Sequence, residues 1–151
     1  MRAGRLSCET AGVSYVLDPA TVIEERGPWV LAVNRNQNLL GKTMLVLDRP
    51  CVAVTDLDQG EWISLQTEIG RITNAIGALF GPDQFNYAFL MNVDAQVHLH
   101  VIPRYASSRI WRGQEFVDAN WGSPFDTNQR LLRPDDLVAL TDELRAVMSG
   151  S

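Results

Sequence analysis

The sequence predicts an α+β fold, and three observations predict it. Short apolar runs rich in β-formers recur between turn residues, from Trp29 to Arg35 and from Thr43 to Asp48. Between Asp58 and Phe80 the apolar residues step by three and four instead of two. A second short helical pattern begins at Pro134. At 151 residues and 46% hydrophobic composition the chain is long enough to bury one core without staples, so a single domain over 1–151 is expected.

Each element follows from local chemistry. The first twelve residues are small and polar and are expected to be a loose end. Val13 to Asp18 fits a first strand closed by Pro19, and Thr21 to Glu25 a second, before the Gly27-Pro28 turn. The runs at 29–35 and 43–48 are joined by a polar link ending in Gly41, which predicts a hairpin. In the helix, Trp62, Leu65, Ile69, Ile72, Ile76 and Leu79 share one face, Asp58 and Glu61 have capping-box spacing, and Gly81-Pro82 stops it. Gly70 and Gly77 weaken it by up to ~1 kcal/mol each, and close packing against a sheet is the expected reason. Phe85 to Met91 and Gln96 to Ile102 read as strands separated by a short turn, the second closed by Pro103. From Arg104 to Asn128 no period is visible. Pro134 suits the first position of a last helix whose Leu137, Leu140 and Leu144 share a face.

Composition narrows the function. The formal charge is −5, so a nucleic-acid scaffold role is not expected, whereas a small anionic ligand is compatible with a few local cations. Cys8 and Cys51 form no C-x-x-C pair and imply no disulfide framework. No signal peptide and no membrane span are read, and a cytoplasmic protein is the expectation.

Chemistry concentrates in Gln96-Val97-His98-Leu99-His100-Val101-Ile102. Side chains alternate along a strand, so Gln96, His98 and His100 share one face while Val97, Leu99 and Val101 enter the core. The chain's only two histidines then stand roughly 6–7 Å apart at their backbones. Placed so, one imidazole can attack while the other handles a proton. The segment also fits an ordinary strand with a solvated face, or two ligands of a zinc site. Zinc would need further ligands, and no third histidine exists.

QVHLHVIPRY resembles the histidine triad signature, in which histidines alternate with apolar residues. The likeness extends to the hairpin WVLAVNRNQNLLGKTMLVLDRP, the long helix and FNYAFLMN, from about Trp29 to Arg104. It implies a five-stranded antiparallel sheet, a nucleotide as ligand, no metal or other cofactor, and a homodimer as partner state. It further implies hydrolysis or transfer at the α-phosphate through a nucleotidyl-histidine. His98 matches the nucleophile and His100 the residue that contacts the phosphate or assists the leaving group. Gln96 takes the first histidine's place as an orienting group. Asn34 matches a ribose contact. Asn92, Lys42 and Arg104 are the remaining candidates for ligand contacts, with Arg109 and Arg112 as lesser ones and Trp111 and Trp121 as candidate stacking surfaces. Departures are Gln96 itself, the short Asn92–Ala95 loop before the motif, and Gly41-Lys42 where Gly-His is frequent. A non-catalytic nucleotide-binding module is the competing reading.

Overall fold

A computed structural model describes residues 16–150. The loose end expected over the first twelve residues lies outside them, as does half of the first strand expected at 13–18. Within it, Asp18 instead caps a single 3-10 turn (Pro19–Thr21) by accepting the Ala20 N–H at 3.0 Å. Five strands follow: β1 (Val22–Arg26), β2 (Trp29–Val33), β3 (Thr43–Leu47), β4 (Gln84–Ala88) and β5 (His98–Arg104). They form one antiparallel sheet in the order β1-β2-β3-β5-β4, as the α+β expectation required. The two helices are α1 (Gln59–Phe80) and α2 (Pro134–Ser149).

Helix α1 starts where the capping box places it. Asp58 accepts the Glu61 N–H at 2.8 Å, and Glu61 accepts the Asp58 N–H at 2.9 Å, so two otherwise orphaned donors are satisfied. Leu65, Ile72, Ala75 and Ile76 of α1 meet Leu137, Leu140, Leu144 and Met148 of α2 over the sheet's inner face, where Leu31, Leu45, Leu47, Leu99 and Val101 are buried. Trp62 is an exception to the predicted face. It is 43% exposed and packs edge-on against Phe89. Gly70 and Gly77 do not mark close packing either, because a Cβ at either would meet open space.

Pro103 does not end β5. It lies inside the strand opposite Phe85 of β4, whereas β3 pairs with β5 only as far as Val101. The missing N–H thus falls outside the doubly paired stretch, where a strand tolerates proline.

The irregular stretch after β5 contains a second small sheet, β6 (Arg109–Trp111) and β7 (Gln114–Phe116). Its two-residue turn, Arg112-Gly113, has φ of 47° and 73°, the left-handed pair that a tight hairpin requires. Arginine in the first turn position, where asparagine or aspartate is usual, hides this hairpin from a sequence reading. Arg112 and Gln114 both donate to Asp136, at 2.8 and 2.9 Å, and Trp111 Nε1 donates to Glu143 at 3.1 Å. The hairpin is thereby fastened to α2, and Trp111 is a packing residue. No helix among the described residues is long and apolar enough to cross a membrane.

Candidate active site

The outer face of the sheet carries two cross-strand rows. Val30, Val46 and His98 form one; Ala32, Met44, His100 and Ala88 form the other. The predicted alternation holds: Val97, Leu99 and Val101 are in the core and both histidines are on the opposite side. His98 is buried among apolar neighbours and His100 is half-buried.

Hydrogen bonds order the two imidazoles. His98 Nδ1 lies 2.7 Å from the backbone oxygen of Gln96, and a carbonyl only accepts, so Nδ1 carries the proton. His98 Nε2 is then the acceptor, and it lies 3.0 Å from His100 Nε2, which must donate. That leaves His100 Nδ1 as an acceptor, 3.3 Å from Asn34 Nδ2. The Asn34 amide cannot be reversed without loss, because its Oδ1 accepts the Asn36 N–H at 2.9 Å. A directed chain results, from Asn34 through His100 and His98 to the Gln96 carbonyl, with both rings neutral.

His100 is held neutral by more than tautomer. Burial first, then the repulsion that a second proton would meet from His98 and from the Lys42 ammonium, lower its pKa from 6.5 to about 4. In the unfolded chain the same ring takes up a proton near pH 6.5. Its contribution to stability is therefore complete above that pH and declines as pH falls from 6.5 towards 4, where the unfolded state binds the extra proton. Allowing for screening at a half-buried ring, the loss is on the order of 2 kcal/mol. Urea midpoints at pH 7 and pH 4.5 should differ more for the native protein than for His100→Asn; equal differences would disprove the assignment.

Gln96 orients His98 through its backbone, not its side chain. The amide Nε2 donates to the oxygens of Leu47 and Arg49 at 2.8 and 2.6 Å, and Oε1 accepts the Cys51 N–H at 3.2 Å. The residue whose carbonyl fixes His98 is thus pinned by three bonds to the end of β3 and the segment that follows it. Two donors and one acceptor are what a primary amide offers and an imidazole cannot. Reinstating the motif residue with Gln96→His is expected to destabilise the protein by ~1–3 kcal/mol, read by urea denaturation, and not to raise activity.

The connection between β2 and β3 is shaped by Gln37, a fully buried residue that the sequence reading did not single out. Its Nε2 bridges the oxygens of Asn34 and Lys42 at 2.7 and 2.8 Å, and its Oε1 accepts the Gly41 N–H at 2.8 Å. Gly41 has φ of 90°, and a Cβ there would lie 3.2 Å from Phe80 and 3.3 Å from Ile76. Both facts require glycine. The same connection is laced to the far end of the chain. Asn36 accepts the Arg130 N–H at 2.9 Å and donates to the Asn128 oxygen at 3.0 Å, and Asn38 donates to the Asp126 oxygen at 2.7 Å.

The other sequence candidates fall in different places. Lys42 is buried instead of solvated. Asn34 reaches His100, and both ends of its amide are occupied. Asn92 is exposed in the link between β4 and β5. Arg104, expected at the ligand, is committed elsewhere. Its five N–H donors go to Asp118 (two), Asn86, Ser123 and Asn120, at 2.6–3.1 Å. No donor is left for a phosphate, because the guanidinium anchors the segment after β7. Arg109 donates to the Phe80 and Gly81 oxygens at the end of α1. Trp121 is 42% exposed.

No family model and no curated protein matches the sequence significantly. Solved structures do. A histidine triad protein of Bradyrhizobium japonicum shares 25% identity, with a TM-score of 0.65 over 84% of this chain and 89% of the other. A histidine triad protein of Sinorhizobium meliloti shares 18%, with a TM-score of 0.68 over 83% and 87%. The diadenosine triphosphate hydrolase of Plasmodium falciparum shares 18%, with a TM-score of 0.66 over 91% and 82%. The five-stranded sheet and the two helices agree with the fold of these structures. The chain has the fold of the histidine triad proteins, and its own H-x-H strand carries Gln96 where their signature would begin with a histidine.

Proposed function

We propose that the chain is a nucleotide hydrolase or nucleotidyltransferase that acts at the α-phosphate through a nucleotidyl-histidine on His98. The observation that carries this reading is the directed hydrogen-bond chain, which protonates His98 Nδ1 and puts the lone pair on Nε2. In the first step Nε2 bonds to the α-phosphorus, and the bond to the leaving group breaks with its electron pair. The leaving group takes its proton from solvent. The charge now on the imidazole is stabilised by the Nδ1–H bond to the Gln96 carbonyl. Meanwhile the His100 Nε2–H transfers its hydrogen bond from His98 to a phosphoryl oxygen, with backbone N–H groups near the motif assisting. In the second step water or an acceptor hydroxyl bonds to phosphorus, releases a proton, and the N–P bond returns its pair to Nε2.

The hydrolase named among the similar structures supports a nucleotide as the substrate class. Asn92, exposed just before the motif, is proposed to meet that ligand, while Asn34 holds His100. The protein is read as cytoplasmic. It is also read as a homodimer, as the resemblance to the histidine triad family implies; sedimentation equilibrium tests that.

A nucleotide-binding module without turnover is the second reading. It is favoured by the 3.0 Å contact with His100 that engages His98 Nε2. Intact-mass spectrometry with nucleoside phosphoramidates and dinucleoside polyphosphates separates the two. An adduct of nucleotidyl mass, or product formation, supports the enzyme. Ligand-dependent stabilisation with neither supports the module.

A further inference from the structure

Lys42 is the only lysine in the sequence, and it is 7% exposed. It stands just before β3, two residues from Met44, and therefore on the sheet face that holds His100. Its backbone oxygen accepts the Asn34 N–H at 3.0 Å, which sets it between Asn34 and β5. A buried ammonium normally has a carboxylate partner. Among the described residues Lys42 has none: its Nζ donates once, to Asn38 Oδ1 at 2.9 Å. Asp126, whose backbone oxygen Asn38 meets, turns its carboxylate to Asn128. The groups around Lys42 are the uncharged Asn34 and Asn38 from its own connection, and His100 from β5. Its two other N–H donors have no acceptor among the described residues.

His100, for its part, has no room for a second proton while Asn34 donates to its Nδ1. It can give a hydrogen bond but cannot supply positive charge. We propose that Lys42, and not a histidinium, is the cation of this site: its ammonium locates an anionic oxygen of the ligand beside the neutral His100. The inference rests on the reading that this face takes a phosphorylated ligand, and it deepens that reading. The anion completes the ammonium's hydrogen bonds, and its charge replaces the carboxylate that the fold withholds. Burial lowers the pKa of Lys42 to about 8, so anion affinity has an alkaline limb in that region, where the ammonium is lost.

Because the chain has one lysine, protein labelled with 13C-lysine reports Lys42 directly by NMR. The probes are pyrophosphate and adenosine 5′-monophosphate. Saturating pyrophosphate is expected to raise the Lys42 pKa by at least half a unit, and affinity for it is expected to fall above pH 8. Lys42→Met, shown to be folded by its melting curve, is expected to bind pyrophosphate at least tenfold more weakly at pH 7 and to lose the alkaline limb. The proposal is overturned if pyrophosphate does not bind, if it moves the histidine signals but leaves lysine unmoved, or if the folded variant binds within twofold of the native protein. Should the variant not fold, the lysine titration of the native protein decides alone. Pyrophosphate binding at Lys42 without binding of the mononucleotide would uphold this inference and sink the nucleotide reading.

Discussion

His98→Ala is expected to lower turnover by at least ~10³-fold and to abolish the nucleotidyl adduct, because no other side chain offers a lone pair at that point of the sheet. The chain has a single other imidazole, and its Nε2 carries the hydrogen that faces His98. Its Nδ1 is turned to Asn34, so His100 cannot take over the attack. Alanine also strips the Gln96 carbonyl of its donor. His98→Asn is therefore the better-matched variant, since its amide can still donate towards that oxygen. Single-turnover measurements at saturating substrate should show the loss in the chemical step for both variants, with nucleotide affinity changed by less than tenfold. Activity within tenfold of the native protein in folded His98→Asn would remove His98 as the nucleophile.

Arg104→Met is expected to cost ~3–5 kcal/mol of stability. The Asp118 carboxylate has no exposed side-chain surface, and Arg104 grips it through two nitrogens. Desolvation raises the carboxylate's pKa, and the opposing bonds from Arg104, Tyr105 and Asn120 outweigh it to leave the pKa below the ordinary value. Without the guanidinium that charge is buried beside two backbone N–H groups only. The oxygens of Asn120 and Ser123 and the Asn86 side chain lose a donor as well. Arg104→Met with Asp118→Leu should recover part of the loss, since no unpaired charge then remains. A urea-derived loss below 1 kcal/mol for the single variant would contradict the assignment. If Arg104 met the ligand instead, nucleotide affinity would be the larger casualty.

The parts of the site that are readable in the sequence are those set by short-range periodicity. His98 and His100 share a face because they are two residues apart, and the capping box of α1 spans three. The residues misjudged are those whose partners lie far along the chain. Arg104 looks like an anion clamp until Asp118 and Asn120 are brought to it, and Lys42 looks like a surface charge until the 34–42 connection folds over Gln37. Trp62 keeps the helical period yet packs edge-on against Phe89, a residue 27 positions further along the chain. Gln96 shows a subtler limit: its identity suggests an orienting side chain, whereas the bond to His98 comes from its backbone.

The lacing of Asn36 and Asn38 to residues 126–130 bears on the order in which the protein is assembled. Asn36 and Arg130 are separated by 94 positions, a closure that a growing chain cannot make until most of its length has been synthesised. Both histidines and the lone lysine are translated well before that point. A partly made chain would therefore hold the reactive groups without the brace that sets the loop around them. The connection that carries Asn34 and Lys42 would be braced only once residues 126–130 have closed onto it.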